Sequence, residues 1–187
     1  MSVDKNWIDV KIPYDVEGGL AMAYNRALSE GTSEWVLFLD HDIFLCNPLW
    51  YKMSLAVVQY LSENDPKAAC IGCATMVKLR TRDIKRGVRA NDSIEFHINK
   101  AKQEYAKYGT SLVREEKYVT GFFLLVNRKI ASKIGFIQSI PGDINKIDID
   151  FGTRVLNAGY HNYQMPGLYV YHRRGMRYLE KDFVYNG

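Results

Sequence analysis

The stretch WVLFLDHDIFL, residues 35–45, runs five apolar residues straight into Asp40 and Asp42, two carboxylates separated only by His41, before apolar character resumes. A continuous apolar run of this kind reads as a strand buried on both faces, which occurs where helices cover a largely parallel sheet. The two aspartates then stand at its carboxyl end, where open α/β sheets bind their ligands. Close carboxylates repel, and keeping both ionised beside a core is costly unless a cation or strong donors offset them. Mg²⁺ or Mn²⁺ meets that need, because each takes one or two protein carboxylates and fills its remaining positions with water and phosphate oxygens. The plainer alternative is a strand-end turn with solvated aspartates.

Working outward, WIDVKI alternates as a short strand and PYDVEGG carries turn chemistry. Leu20, Ala23, Tyr24, Ala27 and Leu28 then share one helical face, and EGTSE stops that helix before the central strand. Beyond it, Leu49, Met53, Ala56, Val57, Tyr60 and Leu61 predict a second helix, and AACIGCATMV a second buried strand, completing a βαβ unit. Residues 78–93 read as a surface loop. Ile94, Ile98, Ala101, Tyr105 and Tyr108 trace a helix that Gly109 ends as a left-handed cap. YVTGFFLLVNR is a strand and RKIASKIG a short helix. A further helix carries Ile149, Val155, Leu156 and Ala158 up to Gly159, and two short strands follow around HNYQM and LYVYH. The tail from Arg173 is expected to be mobile.

With 187 residues and 47% hydrophobic content, the chain is one domain with a substantial core. A formal net charge of +4 is mildly basic, short of the profile of a nucleic-acid binder. No apolar run approaches the roughly 18 residues of a bilayer span, and MSVDKNW lacks the pattern of a signal peptide, so a cytoplasmic location is expected. Cys46, Cys70 and Cys73 form no disulfide framework. Cys70 and Cys73 sit three apart in a strand, hence on opposite faces, and cannot share a metal. A second acidic pair, Asp148 and Asp150, stands at a helix start, where simple N-terminal stabilisation by the helix dipole is the alternative to chemistry. His172 can complete a metal site or serve as an ordinary packing residue.

Taken in order, GGLAMAYNRAL, WVLFLDHD, TGFFLLVNRK, DIDFGTRVLNAGY and YVYHRRG resemble the family 2 glycosyltransferases of the GT-A fold, from Gly18 to Gly175. The resemblance implies a GT-A-like (Rossmann-like) α/β domain: a mostly parallel sheet flanked by helices in three layers, truncated at the N-terminus, with 39 residues before Asp40. Residues 1–77 would form a partial nucleotide-sugar-binding half, 78–175 the acceptor and catalytic half, and 176–187 a mobile tail. It further implies a nucleotide-diphosphate-sugar donor, a glycan or other hydroxyl acceptor, and Mn²⁺ or Mg²⁺ as cofactor. Asp42, Asp40 and His172 become the metal ligands, with Asp40, Arg154 and Asn25 on the donor side. Asp148 becomes the catalytic base, and Gly121 and Asp150 lie on the acceptor side. Ile147 occupies a position that is commonly acidic in the family, which leaves Asp150 as the other carboxylate for that role.

With a truncated donor site, base recognition is incomplete, is supplied by a partner chain or homo-oligomer that completes the site, or is built differently. The run KLRTRDIKRGVR, with six basic residues against Asp83, reads as a solvated loop, a diphosphate clamp or a contact with an anionic acceptor or membrane surface. Two other functions stay open at this point. A metal-dependent phosphohydrolase would need more clustered ligands for a paired-metal site. A degenerate transferase fold would bind a nucleotide or glycan without catalysis.

Overall fold

A computed structural model describes residues 6–14, 19–75, 93–137 and 146–172. The basic run at 78–89 and the tail at 176–187 lie outside the described residues. Along the chain come β1 (Ile8–Lys11), α1 (Gly19–Ser29), β2 (Trp35–Leu39), β3 (Ile43–Phe44), α2 (Trp50–Asn64), β4 (Ala68–Ala74) and α3 (Ile94–Tyr108). They are followed by β5 (Val113–Glu115), β6 (Phe123–Asn127), α4 (Arg128–Ile134), α5 (Ile147–Asn157), β7 (His161–Tyr169) and β8 (Tyr171–His172). Six strands form one sheet in the order β1-β2-β6-β4-β7-β5, and β3 pairs with β8 apart from it. β1, β2, β4 and β7 run one way, while β6 lies reversed between β2 and β4, and β5 reversed at the far edge.

β2 explains its own composition. Trp35, Leu37 and Leu39 face Met53, Val57, Val58 and Leu61 of α2, whereas Val36 and Phe38 face Tyr24 and Leu28 of α1, Ile130 of α4, and Phe151 and Val155 of α5. None of the five exceeds 7% exposure. Their burial is on the order of 10 kcal/mol of hydrophobic stabilisation before chain entropy is set against it. The predicted split of the cysteines follows from the same two-faced sheet: Cys70 packs in the α1 layer and Cys73 in the α2 layer, both as free buried thiols.

Several elements depart from the sequence reading. HNYQM and LYVYH are not two short strands: β7 continues through Met165, Pro166 and Gly167, and β8 adds only Tyr171 and His172. The Pro-Gly pair forms an irregularity in which Cys73 faces Met165 and Ala74 faces Tyr169. Glycine is required at 167 for a close approach, since a Cβ there would lie 2.1 Å from the Gly109 carbonyl oxygen. Gly109 itself ends α3 at φ +54 and ψ −126, a positive-φ cap outside the left-handed helical region. On α3, Ile94 and Tyr105 are exposed, and the residues buried are His97 and Ala101; His97 is accommodated there by the Tyr169 hydroxyl and the Tyr171 ring. On α5 the buried face is Ile147, Phe151, Gly152 and Val155, rather than Ile149, Leu156 and Ala158. The short strands β3 and β5 carry no sequence pattern of their own.

Candidate active site

β2 stops at Leu39, and the Asp40 amide donates to the Phe122 carbonyl at 3.0 Å, extending the β2–β6 pairing by one step and fixing Asp40 at the strand end. The chain turns through His41 and Asp42 into β3, where Ile43 pairs with His172 and Phe44 with Tyr171. The rings of Phe44 and Tyr171 stack at 5.7 Å. This two-residue ladder brings the remote His172 to the aspartates, with Nε2 3.1 Å from Asp42 Oδ1 and 3.5 Å from Asp40 Oδ2. The imidazole is 6% exposed and packs on the Phe122 ring, while each carboxylate is 31% exposed. One ligand atom from each of Asp40, Asp42 and His172 lies within 4.8 Å of the others. Two carboxylate oxygens and one imidazole nitrogen, reachable from solvent, fit a hard or borderline divalent cation such as Mn²⁺ or Mg²⁺.

α3 supports this centre from behind. His97 is fully buried; its Nδ1 lies 2.8 Å from the Tyr169 hydroxyl, and its ring stacks on Tyr171 at 3.5 Å. Tyr171 immediately precedes His172, so His97 holds the strand that presents the imidazole. The sequence reading treated this helix by its apolar stripe and missed His97. The signal available was a polar residue one position before Ile98, on the face shared with Ala101.

The carboxylates of α5 stand differently. Asp148 accepts the Gly121 amide at Oδ2 (2.8 Å) and the Ile149 amide at Oδ1 (2.9 Å). Gly121 directly precedes Phe122, so Asp148 is tied to the segment that also touches Asp40 and His172. Tyr24 joins the two sides: its buried phenol is held well above its ordinary pKa, first by burial and then by the negative charges of Asp40 and Asp148. The ring is fixed against Phe38 and Phe136, each at 4.7 Å. Sequence reasoning placed Tyr24 only on an apolar helix face.

The remaining candidates are bound to the protein itself. Asn25 donates to the Phe136 carbonyl and accepts its amide, both at 2.8 Å, which pins the segment after α4 to α1. Arg154 grips Asp150 with Nε at 2.8 Å and donates to the Ile134 and Gly135 carbonyls, each at 2.8 Å. The structure thus brings Asp40, Asp42, His172 and, through Gly121 and Tyr24, Asp148 into one region. It places Asn25, Asp150 and Arg154 in contacts that fix the α1–α4–α5 layer.

No protein-family model matches the chain, and no curated protein matches its sequence. Solved structures do match. The mannosyltransferase PcManGT from Pyrobaculum calidifontis, solved with GDP-Man and Mn²⁺, is similar over 87% of this chain and 39% of its own, with 20% identity and a TM-score of 0.53. Glucosyl-3-phosphoglycerate synthase from Mycobacterium tuberculosis, solved with Mn²⁺, UDP and phosphoglyceric acid, is similar over 89% of this chain and 51% of its own, with 13% identity and a TM-score of 0.51. The chain therefore spans about half the length of such proteins or less. The described residues, in their sheet order and in the layers around β2, have the GT-A glycosyltransferase fold.

Proposed function

We propose that this chain transfers a sugar from a nucleotide-diphosphate-sugar to an acceptor hydroxyl, with inversion at the anomeric carbon. The convergence of Asp40, Asp42 and His172 at the carboxyl end of β2 carries this reading. Both solved relatives were crystallised with Mn²⁺ and a guanosine or uridine diphosphate species, which supports the same ligand class here. Asp42, Asp40 and His172 would hold Mn²⁺ or Mg²⁺, and the ion, when bound, supplies positive charge to the diphosphate leaving group.

Asp148 acts as the base. As the acceptor oxygen bonds to the anomeric carbon, the bond from that carbon to the diphosphate oxygen breaks, and the hydroxyl proton passes to Asp148. Its two backbone donors leave lone pairs for that proton, since each carboxylate oxygen has two acceptor sites. Gly121 orients the carboxylate on the acceptor side. Asp150, clamped by Arg154, and Asn25 act by holding the α1–α4–α5 layer that shapes the donor and acceptor sides. One direct displacement inverts the centre.

A hydrolase with a paired-metal site finds less support, because the described residues group one set of three ligands. Titrating UDP and GDP with and without Mn²⁺ tests the reading. Binding should depend on the metal and vanish in Asp42→Ala. Asp148→Asn should keep that binding and lose about 10²- to 10⁴-fold in transfer from whichever nucleotide-sugar the wild type consumes. Metal-dependent binding with no consumption of any nucleotide-sugar would instead favour a binding domain built on the same fold.

A further inference from the structure

We infer that β1 is a self-complementary edge through which two copies of this chain join their sheets antiparallel about a two-fold axis at Val10. β1 pairs with β2 on one side, and among the described residues no strand covers the other. Its outer apolar residues are open: Val10 is 42% exposed on the same strand face as Ile8, which is buried against the α2 layer, and Ile12, just past the strand end, is 61% exposed. An exposed edge with apolar side chains is a template for pairing with another chain.

The charges select the occupant. Lys11 on an edge strand normally deters pairing, unless the incoming strand sets an acid opposite it. In a two-fold pairing with the axis normal to the sheet, opposite residues share a face, so the axis must lie between the two copies of one residue. Centred on Val10, Asp9 faces Lys11 of the second copy on both sides of the axis, and Ile8 faces Ile12. Centred on Asp9 or on Lys11, like charges face each other, which is destabilising. Asp9 is already paired with Arg128 and Asn6 in its own chain, so the second copy's ammonium would share a carboxylate that these contacts hold in place. Trp7 then opposes Pro13, where the missing N–H ends the ladder.

Two consequences follow. Val10 and Ile12 extend the apolar face begun by Ile8 across the axis. Because the strands run antiparallel, the two Asp40 ends point in opposite directions, and each copy keeps its metal centre to itself. This dimer does not complete a donor site, in contrast to the sequence expectation for an oligomer.

The test is the oligomeric state of the full chain and of cysteine variants. Sedimentation of the wild type should show a reversible monomer–dimer equilibrium at hundred-micromolar concentrations, as a small interface requires. Val10→Cys should form a covalent dimer under mild oxidation, since opposed residues in either kind of antiparallel pair have Cα atoms within disulfide reach. Ile12→Cys, which faces Ile8, should not, and the native cysteines are buried. Lys11→Glu should weaken association about fivefold or more. A strictly monomeric wild type overturns the proposal. So does equal cross-linking through positions 10 and 12, or a dimer indifferent to Lys11→Glu that fails to cross-link through Val10→Cys.

Discussion

At Gly121 the requirement is for a missing side chain. A Cβ there would lie 3.1 Å from Asp148 Cβ and 3.4 Å from its Oδ2, tight enough to push the carboxylate by a few tenths of an ångström. The φ angle is not positive, so alanine is acceptable to the backbone and the effect falls on Asp148 alone. Gly121→Ala should therefore fold normally and bind Mn²⁺ and UDP as the wild type does, because Asp40, Asp42 and His172 are not displaced. Its kcat should drop about tenfold, the scale of loss for a base moved off its line of attack. Steady-state kinetics beside a Mn²⁺–UDP titration checks this, and a loss of nucleotide affinity equal to the loss in kcat would detach Gly121 from the base. The sequence placed Gly121 near the acceptor. What it did not reveal is the contact itself, since a pairing between residues 27 apart depends on how α5 docks.

Among the elements, those with a strong pattern were legible and those defined by a partner were not. β2 and β4 follow from apolar runs, because two covered faces leave no room for polar residues in between, and α1 and α2 each follow from one apolar stripe. β3 and β8 are two residues each and exist only because they pair, yet they are what sets His172 beside Asp42. The histidine was legible as a candidate; its position depends on the ladder. α3 shows the limit of periodicity, since its buried His97 answers the Tyr169 hydroxyl and the Tyr171 ring rather than an aliphatic core. His97→Ala should destabilise the fold by about 2–4 kcal/mol, through a cavity and an orphaned hydroxyl. It should also weaken Mn²⁺ binding, because Tyr171 loses the ring that holds β8. His97→Phe keeps a ring against Tyr171 and should retain Mn²⁺ affinity while still losing about 1–2 kcal/mol to the unpaired hydroxyl. Thermal melts and Mn²⁺ calorimetry on both variants separate the two effects.

Across the whole molecule, chemistry and stability are placed at opposite ends of the sheet. Asp40 stands at the carboxyl end of β2, whereas the amino ends of β4 and β7 are tied by Asp65, which accepts His161 Nδ1 at 2.7 Å, the Tyr163 hydroxyl at 2.6 Å and the Lys67 amide at 3.0 Å. Burial alone would raise the Asp65 carboxyl, but the hydrogen bonds from Tyr163, His161 and Lys67, together with the nearby imidazole, hold its pKa below the ordinary 3.8. A depressed folded pKa means stability that is present above the unfolded value and lost as pH falls through the folded one. The wild type should lose melting temperature below about pH 4. Tyr163 closes the other side. Burial and the hydrogen bond to Asp65 push it up to about 12 from 10.0, so its contribution holds below pH 10.0 and is lost as pH rises toward 12. Asp65→Asn should cost about 1–3 kcal/mol at neutral pH, and that deficit should shrink in acid, where the wild-type carboxylate is itself protonated. Melting curves of both proteins from pH 3 to 8 test it. A deficit that stays constant across that range would mean that Asp65 joins the strands by shape and not by charge.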